Sequence, residues 1–228
     1  DRGLVGSEMC IRDSYNPMGP NPLMSLGRHA NVGQYDPWLT EIPTLRCPSD
    51  PGEGLPAHAR TNYAVCLGDS LNRINQGLGV NGGSRPNIGR SRHVRASCRG
   101  VFVPRKEMKF RDILDGLANT IAMAEISTDL GDYDVTTSLL PVERVSGTRI
   151  HLDPPFASTH LQYVDPERPR FWDPSVRQVI DQRIGPEQQR GYKWAWGRPS
   201  NTGVNTILPP NSPVCVRNNV QNFGVFPP

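Results

Sequence analysis

Short alternations of apolar and polar residues along the chain predict strands joined by turns. In TNYAVCLGD (61–69), Tyr63 and Val65 fall on one side of an extended chain, and Ala64 and Cys66 fall on the other. This two-residue period is typical of a half-buried strand. Further strands are predicted at RGVFV (99–103), NTIAMAEIS (119–127), GYKWAWGRP (191–199) and TGVNTILPPNSPVC (202–215).

Two segments carry apolar residues at helical spacing instead. Residues 110–116 predict a short helical turn, which Gly116 would terminate. Residues 174–184 predict a longer helix that ends ahead of Gly185 and Pro186. The apolar positions are Phe110, Ile113, Leu114 and Leu117 in the first segment, and Val176, Val179, Ile180 and Ile184 in the second. The stretches 70–99 and 128–170 are predicted to be mostly loop.

The composition limits the size of the core. Glycine (22 residues) and proline (23 residues) are abundant in the 228-residue chain, the hydrophobic content is 36%, and the mean hydropathy is −0.50. Proline removes a backbone donor and glycine weakens helices, so short strands and long loops are favoured. We therefore predict an α+β, antiparallel-sheet-dominated globular head with long Pro/Gly-rich loops and few short helices. The net charge of +3 is mild and implies no acidic partner.

The first residues stand apart from the rest of the chain. LVGSEMCIRDS (4–14) back-translates without a mismatch into a nucleotide sequence that resembles the adaptor and transposon end of tagmentation libraries. We expect residues 1–14 to be a sequencing-adaptor artefact, and such segments are set aside before fold reasoning. Residues 15–36 are then an irregular segment, and residues 37–228 form one globular domain that we expect to be truncated at its C-terminus.

Four cysteines outside the first segment are candidates for disulfides. None of them forms a C-x-x-C pair, which argues against a zinc ribbon or a thioredoxin-type motif. An even number of scattered cysteines fits an exported, disulfide-bonded protein, and free buried thiols are the other possibility. Cys47–Cys66 is weakly favoured, since its loop closure would stabilise by roughly 3 kcal/mol, whereas Cys66–Cys98 would join two predicted strands. The candidates are Cys47, Cys66, Cys98 and Cys215.

Two other clusters could bind ligands. In STDLGDYD (127–134), Asp129, Asp132 and Asp134 form a weak calcium candidate, although the loop lacks EF-hand spacing, so a solvated acidic loop is favoured and no metal is predicted. Further along, three alternating aromatic residues could form a sugar-stacking platform, although a core face is favoured because such rings bury much area. These residues are Tyr192, Trp194 and Trp196.

No catalytic or nucleic-acid motif is found in the sequence. Ser70 lacks a G-x-S-x-G frame, no H-E-x-x-H is present, and the histidines have no partner spacing, so we predict neither an enzyme nor a cofactor. A hydrolase would require His151 or His160 to meet a Ser or Cys and an acid in one cleft. A basic stretch lacks interleaved aromatic residues and predicts an exposed loop, not a nucleic-acid site. Its charges are Arg85, Arg90, Arg92, Arg95, Arg99, Arg105 and Lys106.

Several of these segments, in this order, resemble one bacterial family, known as domain of unknown function 1559. The resemblance covers residues 37–228, and its combination of segments is specific where single pieces are not. The segments are PTLRCPSDP (43–51), TNYAVCLGD (61–69), RGVF (99–102), FRDILDGLANTIAMAE (110–125), GYKWAWGRP (191–199) and NTGVNTILPPNSPVC (201–215).

The resemblance implies an exported, type IV pilin-like protein. Family members begin with a prepilin-type signal and a long hydrophobic helix, so a missing N-terminal helix would anchor this protein in the inner membrane, with its head in the periplasm or at the cell surface. The expected partners are like subunits or other pilin-like proteins in a filament or secretion apparatus. The alternative is an extracellular carbohydrate- or solute-binding protein. Structural roles are expected for Cys47, Pro48, Asp50, Tyr63, Asp112, Asp115, Gly116, Asn119 and Glu125.

Overall fold

A computed structural model describes residues 39–70, 99–103, 108–146, 159–217 and 224–228. The predicted segments 1–14 and 15–36, Cys98, His151 and most of the basic stretch lie outside these ranges. Within these ranges, six short strands form two three-stranded sheets, and several short helices pack with them. None of the helices in the described ranges has the length and apolar character needed to cross a bilayer.

The first sheet is centred on the strand that the alternation predicts. β1 (Tyr63–Cys66) pairs antiparallel with β2 (Met123–Glu125) and parallel with β4 (Gly203–Val204), so β2 is an edge strand. Ala64 and Cys66 point inward, where they pack with Ile126 and Val204. The prediction that Ala64 and Cys66 share one side of β1 is therefore confirmed.

The second sheet packs against the larger core. β3 (Leu140–Pro141) pairs parallel with β5 (Cys215–Val216), which pairs antiparallel with β6 (Gly224–Val225). The predicted strand over 202–215 thus forms two short strands, one in each sheet. Each sheet contains one parallel and one antiparallel pair, so both sheets are mixed.

Three α-helices and four 3-10 helices accompany the strands in the described ranges. The α-helices are α1 (Val142–Ser146), α2 (Pro174–Arg183) and α3 (Pro199–Thr202). In α2, the carboxylate of Asp173 caps the N-terminus by accepting the Ser175 N–H at 2.8 Å, and Pro174 occupies the first turn. Gly185, at φ 78°, follows the end of α2 as predicted. The 3-10 helices are Pro43–Leu45, Phe110–Asp112, Leu117–Asn119 and His160–Tyr163.

The main core lies between α2 and the second sheet. Trp172 and Ile180 are fully buried there against β3, β5 and β6, and the Trp172 Nε1–H donates to the Ser138 carbonyl at 2.7 Å. Because a buried indole N–H without an acceptor is costly, this bond fixes the ring in the core. The α+β class with few helices is confirmed.

Two predicted strands do not form. Residues 99–103 carry no strand, and in 191–199 only Lys193 makes an isolated bridge, to Ala59. Gly191 adopts a left-handed φ of 73°, which no regular strand contains. The short helical turn predicted at 110–116 forms as the 3-10 helix Phe110–Asp112. Gly116, at φ 84°, follows it and precedes a second 3-10 helix, Leu117–Asn119.

Candidate functional site

Asp50 connects the turn at 47–54 to the segment that follows β2. Its carboxylate accepts the Gly52 N–H at 2.8 Å, the Thr128 N–H and hydroxyl at 2.9 Å each, and the Asn62 Nδ2–H at 2.5 Å. Burial alone would raise the pKa of Asp50, but the hydrogen bonds from Thr128, Gly52 and Asn62 hold it below its usual value. Asp50 is therefore an ionised structural centre.

Asn62 satisfies the other side of this junction. Its amide nitrogen also donates to the Ile126 carbonyl at 3.0 Å, and its amide oxygen accepts from the Cys47 N–H at 3.0 Å and from Arg46 at 2.8 Å. Only 1% of Asn62 is exposed. A single buried amide thus joins the start of β1 to the turn and to the end of β2.

A second buried centre brings together two residues that the sequence places in separate candidate sites. The Tyr192 hydroxyl donates to Asp129 Oδ2 at 2.9 Å, and Asp129 also accepts from the Gly131 N–H and the Thr137 hydroxyl. The Arg60 guanidinium lies 4.5 Å from the Tyr192 ring centre and donates to the Asp129 carbonyl at 2.7 Å. Burial raises the pKa values of both Asp129 and Tyr192. We call Arg60, Asp129 and Tyr192 the Asp129 centre.

The three aspartates of the calcium candidate do not come together around one point. Asp134 accepts from the Thr136 N–H at 2.8 Å and pairs with Arg170 at 2.7 Å, while Asp132 accepts the Asp134 N–H at 3.1 Å. Asp129 points to Tyr192 instead. Because each carboxylate closes its own turn or ion pair, the three do not converge, and the described residues contain no His, Cys, Asp or Glu cluster suited to a metal ion.

The aromatic candidates do not form one stacking face. Tyr192 is 1% exposed and belongs to the Asp129 centre. Trp196 is 5% exposed and packs with Trp194, and the Arg198 guanidinium lies 4.0 Å from its ring centre. Trp194 is half-buried and donates its Nε1–H to the Thr40 carbonyl at 2.9 Å. The alternation breaks down because this segment is a series of turns, not a strand.

The cysteines that the structure describes are free thiols: Cys47, Cys66 and Cys215. The favoured Cys47–Cys66 disulfide is therefore not formed. Cys66 points into the small cluster behind β1, whereas Cys47 lies in the turn that Asn62 holds through its backbone N–H. Cys215 is fully buried in β5, and burial raises the pKa of its thiol to about 12.

His160 lies in the interior next to Trp172. It is fully buried, its ring meets Trp172 edge-on at a centroid distance of 6.4 Å, and its Nε2 is 3.0 Å from the Pro213 carbonyl oxygen. It lines neither of the two cavities described next.

Two cavities flank the loop at 127–134. The Tyr192 cavity, of about 440 Å³, is lined by Arg60, Asp129, Tyr133, Asp181, Gln189 and Tyr192, with Glu53 and Leu55 among the further lining residues. The Arg190 cavity, of about 420 Å³, lies on the other side and contains Asp50, Asp132, Asp134, Arg170 and Arg190. Arg190 is 2% exposed and donates to the Pro227 carbonyl. Leu130 and Pro51 border both cavities.

Five apolar residues are exposed in β2 and in the segment that leads into it. Three of them belong to the apolar positions at helical spacing in the sequence. Leu114 is 92% exposed, Phe110 80% and Leu117 60%. Asp112, Asp115, Asn119 and Glu125 are exposed in the same region. The apolar strip comprises Phe110, Leu114, Leu117, Ile121 and Met123.

Sequence reasoning missed most of the residues that line the Tyr192 cavity, Arg60 and Gln189 among them. Arg60 ends the HAR segment just before β1 and is 3% exposed, while Gln189 follows α2 and is 7% exposed. A charged residue directly ahead of a strand was the available signal for Arg60. Gln189 lies in a polar run, EQQR, and the sequence offers no signal that one of its glutamines is buried.

Taken together, these features define a class of protein: a small mixed-sheet α+β domain held by buried polar centres, with two polar cavities. The chain belongs to the family described as Protein of unknown function (DUF1559), whose model matches residues 15–226. The short name of that model is SBP_bac_10. Neither a curated protein nor a solved structure shows a significant match to the chain.

Proposed function

We propose that the protein is a non-enzymatic assembly subunit, pilin- or pseudopilin-like, whose apolar strip contacts a like subunit. The single observation that carries this proposal is the exposure of the apolar strip, which leads into and includes part of β2, a strand with one side unpaired among the described residues. Large exposed apolar patches on a folded domain mark interaction surfaces. The sequence resemblance to exported, prepilin-type proteins supports the same function.

The sheet edge adds backbone groups to this surface. The backbone N–H of Cys66 donates to the Ala122 carbonyl, and the backbone N–H of Ile126 donates to the Asn62 carbonyl. Because hydrogen-bonding direction alternates along a strand, the backbone groups of Met123 and Glu125 point away from β1. Within the described residues, no strand pairs with that side of β2. An unpaired edge of this kind can add a strand from another chain.

The strip is large enough to contribute to association. Its side chains together expose the equivalent of more than three complete residues. Burying one such side chain contributes about 1.5–3 kcal/mol, so covering the strip contributes about 5–10 kcal/mol for each copy. Losing translational and rotational freedom costs about 4–15 kcal/mol, so the strip can offset most of that cost.

The location and anchoring follow from the resemblance. We propose an exported protein in the periplasm or at the cell surface, anchored in the inner membrane through an N-terminal helix of the full-length protein. Its partners would be like subunits or other pilin-like proteins. In this arrangement the head acts as scaffold and contact surface and catalyses no reaction.

Charge substitution in the strip tests the proposal. We expect wild-type protein to self-associate with rising concentration in sedimentation velocity, and Leu114→Lys and Leu117→Lys to abolish this association. Leu161→Lys is the matched control, because Leu161 is 45% exposed and lies outside the strip. Wild-type protein that stays monomeric at high micromolar concentration, or variants that associate like the control, would refute this function.

A second candidate function is binding of a solute. The observation that favours it is the Tyr192 cavity, whose volume of about 440 Å³ falls within the ~300–1,000 Å³ of ligand pockets. The short name of the family model, SBP_bac_10, also suggests a binding protein. A screen of small polar solutes by thermal shift tests it, and an unchanged melting temperature throughout would argue against it.

A further inference from the structure

We infer that the Tyr192 cavity binds a polyhydroxylated ligand of monosaccharide size through Gln189, Arg60 and Asp181. The inference deepens the second candidate function and rests on it. It places a carbohydrate site away from Trp194 and Trp196, neither of which lines this cavity.

One nearly buried side chain offers a donor to the cavity. Gln189 is 7% exposed, and its amide oxygen accepts the Leu139 N–H at 2.9 Å, while its amide nitrogen has no hydrogen-bond partner in the described ranges. Arg60 also lines the cavity and contributes its positive charge, although its Nε is shielded from solvent. Polar groups that are nearly buried normally have partners, so the unfilled Gln189 donor at the cavity wall indicates a ligand that supplies an acceptor.

Asp181 supplies an acceptor to the same cavity. One Asp181 oxygen accepts the Tyr133 hydroxyl at 2.9 Å, and within the described part of the chain the other oxygen accepts nothing. Asp181 lies near the C-terminal end of α2, a rigid element, while Tyr133 is half-buried in the adjoining loop. A carboxylate with a free oxygen accepts hydrogen bonds from ligand hydroxyl groups.

The mixture of groups selects the ligand class. A hydroxyl both donates and accepts, so neighbouring hydroxyls on one ring can satisfy Gln189 and Asp181 together. The cavity carries the carboxylates Glu53, Asp129 and Asp181 against the single guanidinium of Arg60, a balance that disfavours anions. The Tyr133 ring and the exposed Leu55 provide apolar surface for the C–H groups of a sugar.

The probes are D-glucose, D-galactose, D-mannose and N-acetyl-D-glucosamine, each tested against the whole chain by saturation-transfer NMR and titration calorimetry. At least one should bind with a Kd of about 1 mM or tighter. Gln189→Glu keeps the acceptor for Leu139 and removes the donor, and Asp181→Ala changes an exposed residue. Both should weaken binding tenfold or more. Asp132→Ala is the control, because Asp132 lines the other cavity.

The possible results separate the two levels of the proposal. A sugar that binds Gln189→Glu and Asp181→Ala as tightly as wild type would overturn the location of the site. No binding by any sugar, together with binding of an amino acid or a polyamine that the same variants weaken, would overturn the carbohydrate class and leave solute binding standing. No binding by sugars, amino acids or polyamines would overturn both. Circular dichroism establishes whether each variant is folded. If Gln189→Glu does not fold, Asp181→Ala alone tests the location of the site.

Discussion

Replacing Asp50 with alanine tests whether the buried polar centres hold this fold together. The carboxylate accepts four hydrogen bonds that link the turn at 47–54, the start of β1 and the segment after β2. Alanine leaves the Gly52 and Thr128 N–H groups and one Asn62 N–H without their acceptor. All three residues are buried, and Thr128 and Asn62 are at most 2% exposed.

The expected cost follows from these orphaned donors. A buried donor without an acceptor costs about 1–3 kcal/mol. Three such donors would cost up to about 9 kcal/mol, but Asp50, Asn62 and Thr128 line the Arg190 cavity, where water can replace part of the lost bonding. We therefore expect Asp50→Ala to lower the free energy of unfolding by about 3–5 kcal/mol, a large share of the ~5–15 kcal/mol typical of a domain.

Equilibrium urea unfolding, followed by tryptophan fluorescence, measures this change. Trp172 and Trp196 are buried, so their emission reports loss of the core. Asp112→Ala is the matched control. Asp112 is exposed and accepts only the Lys109 N–H at 3.0 Å, so its loss should cost about 0.5–1 kcal/mol, as for a helix cap. A cost below 1 kcal/mol for Asp50→Ala, or equal costs for both variants, would refute the reasoning.

Two further predictions concern a half-buried histidine and a close backbone contact. Burial and the charge of Lys193 lower the pKa of His58 from 6.5 to about 4, so the unfolded chain takes up the proton first and stability should fall as pH drops from 6.5 to 4. The urea midpoint of His58→Gln should therefore depend less on pH between 6.5 and 4 than that of the wild type. The same pH dependence in both proteins would contradict this prediction. A Cβ on Gly100 would lie 2.5 Å from the Cys66 oxygen and the Gly68 nitrogen, so Gly100→Ala should lower the melting temperature by an amount equivalent to about 1–3 kcal/mol. A Cβ on Gly197 would meet nothing within 4 Å, so Gly197→Ala should keep the wild-type melting temperature. Equal melting temperatures for Gly100→Ala and Gly197→Ala would refute the steric argument.

The elements predicted correctly are those whose local pattern and tertiary environment agree. β1 alternates and is covered on one side by Ile126 and Val204, and α2 has a cap, an apolar stripe and a terminal glycine. At 191–199 the alternation is equally regular, but Gly191 turns the chain and the Tyr192 hydroxyl is bound by Asp129. A hydrogen bond between residues 63 positions apart leaves no trace in local periodicity.

The candidate site was only partly predictable for a related reason. The sequence singled out Asp129 and Tyr192 as members of different sites, one for calcium and one for sugar. Their contact depends on the turn at 129–131 and on the packing of Arg60 over the Tyr192 ring, neither of which has a sequence motif. Gln189 was missed because burial of a glutamine depends on its neighbours in space.

One continuous segment runs from the apolar strip to the wall of the Tyr192 cavity, and this arrangement makes the tests of the two surfaces separable. Met123 ends the apolar strip, Ala124 and Ile126 turn inward beneath β1, and Thr128 then bonds to Asp50 before Asp129 enters the wall of the Tyr192 cavity. The strip variants Leu114→Lys and Leu117→Lys change exposed side chains outside this hydrogen-bonded junction, so ligand binding should survive them. Asp50→Ala removes the junction itself and should disturb binding at the cavity while leaving the strip exposed. Loss of self-association without loss of binding would therefore assign assembly to the strip alone.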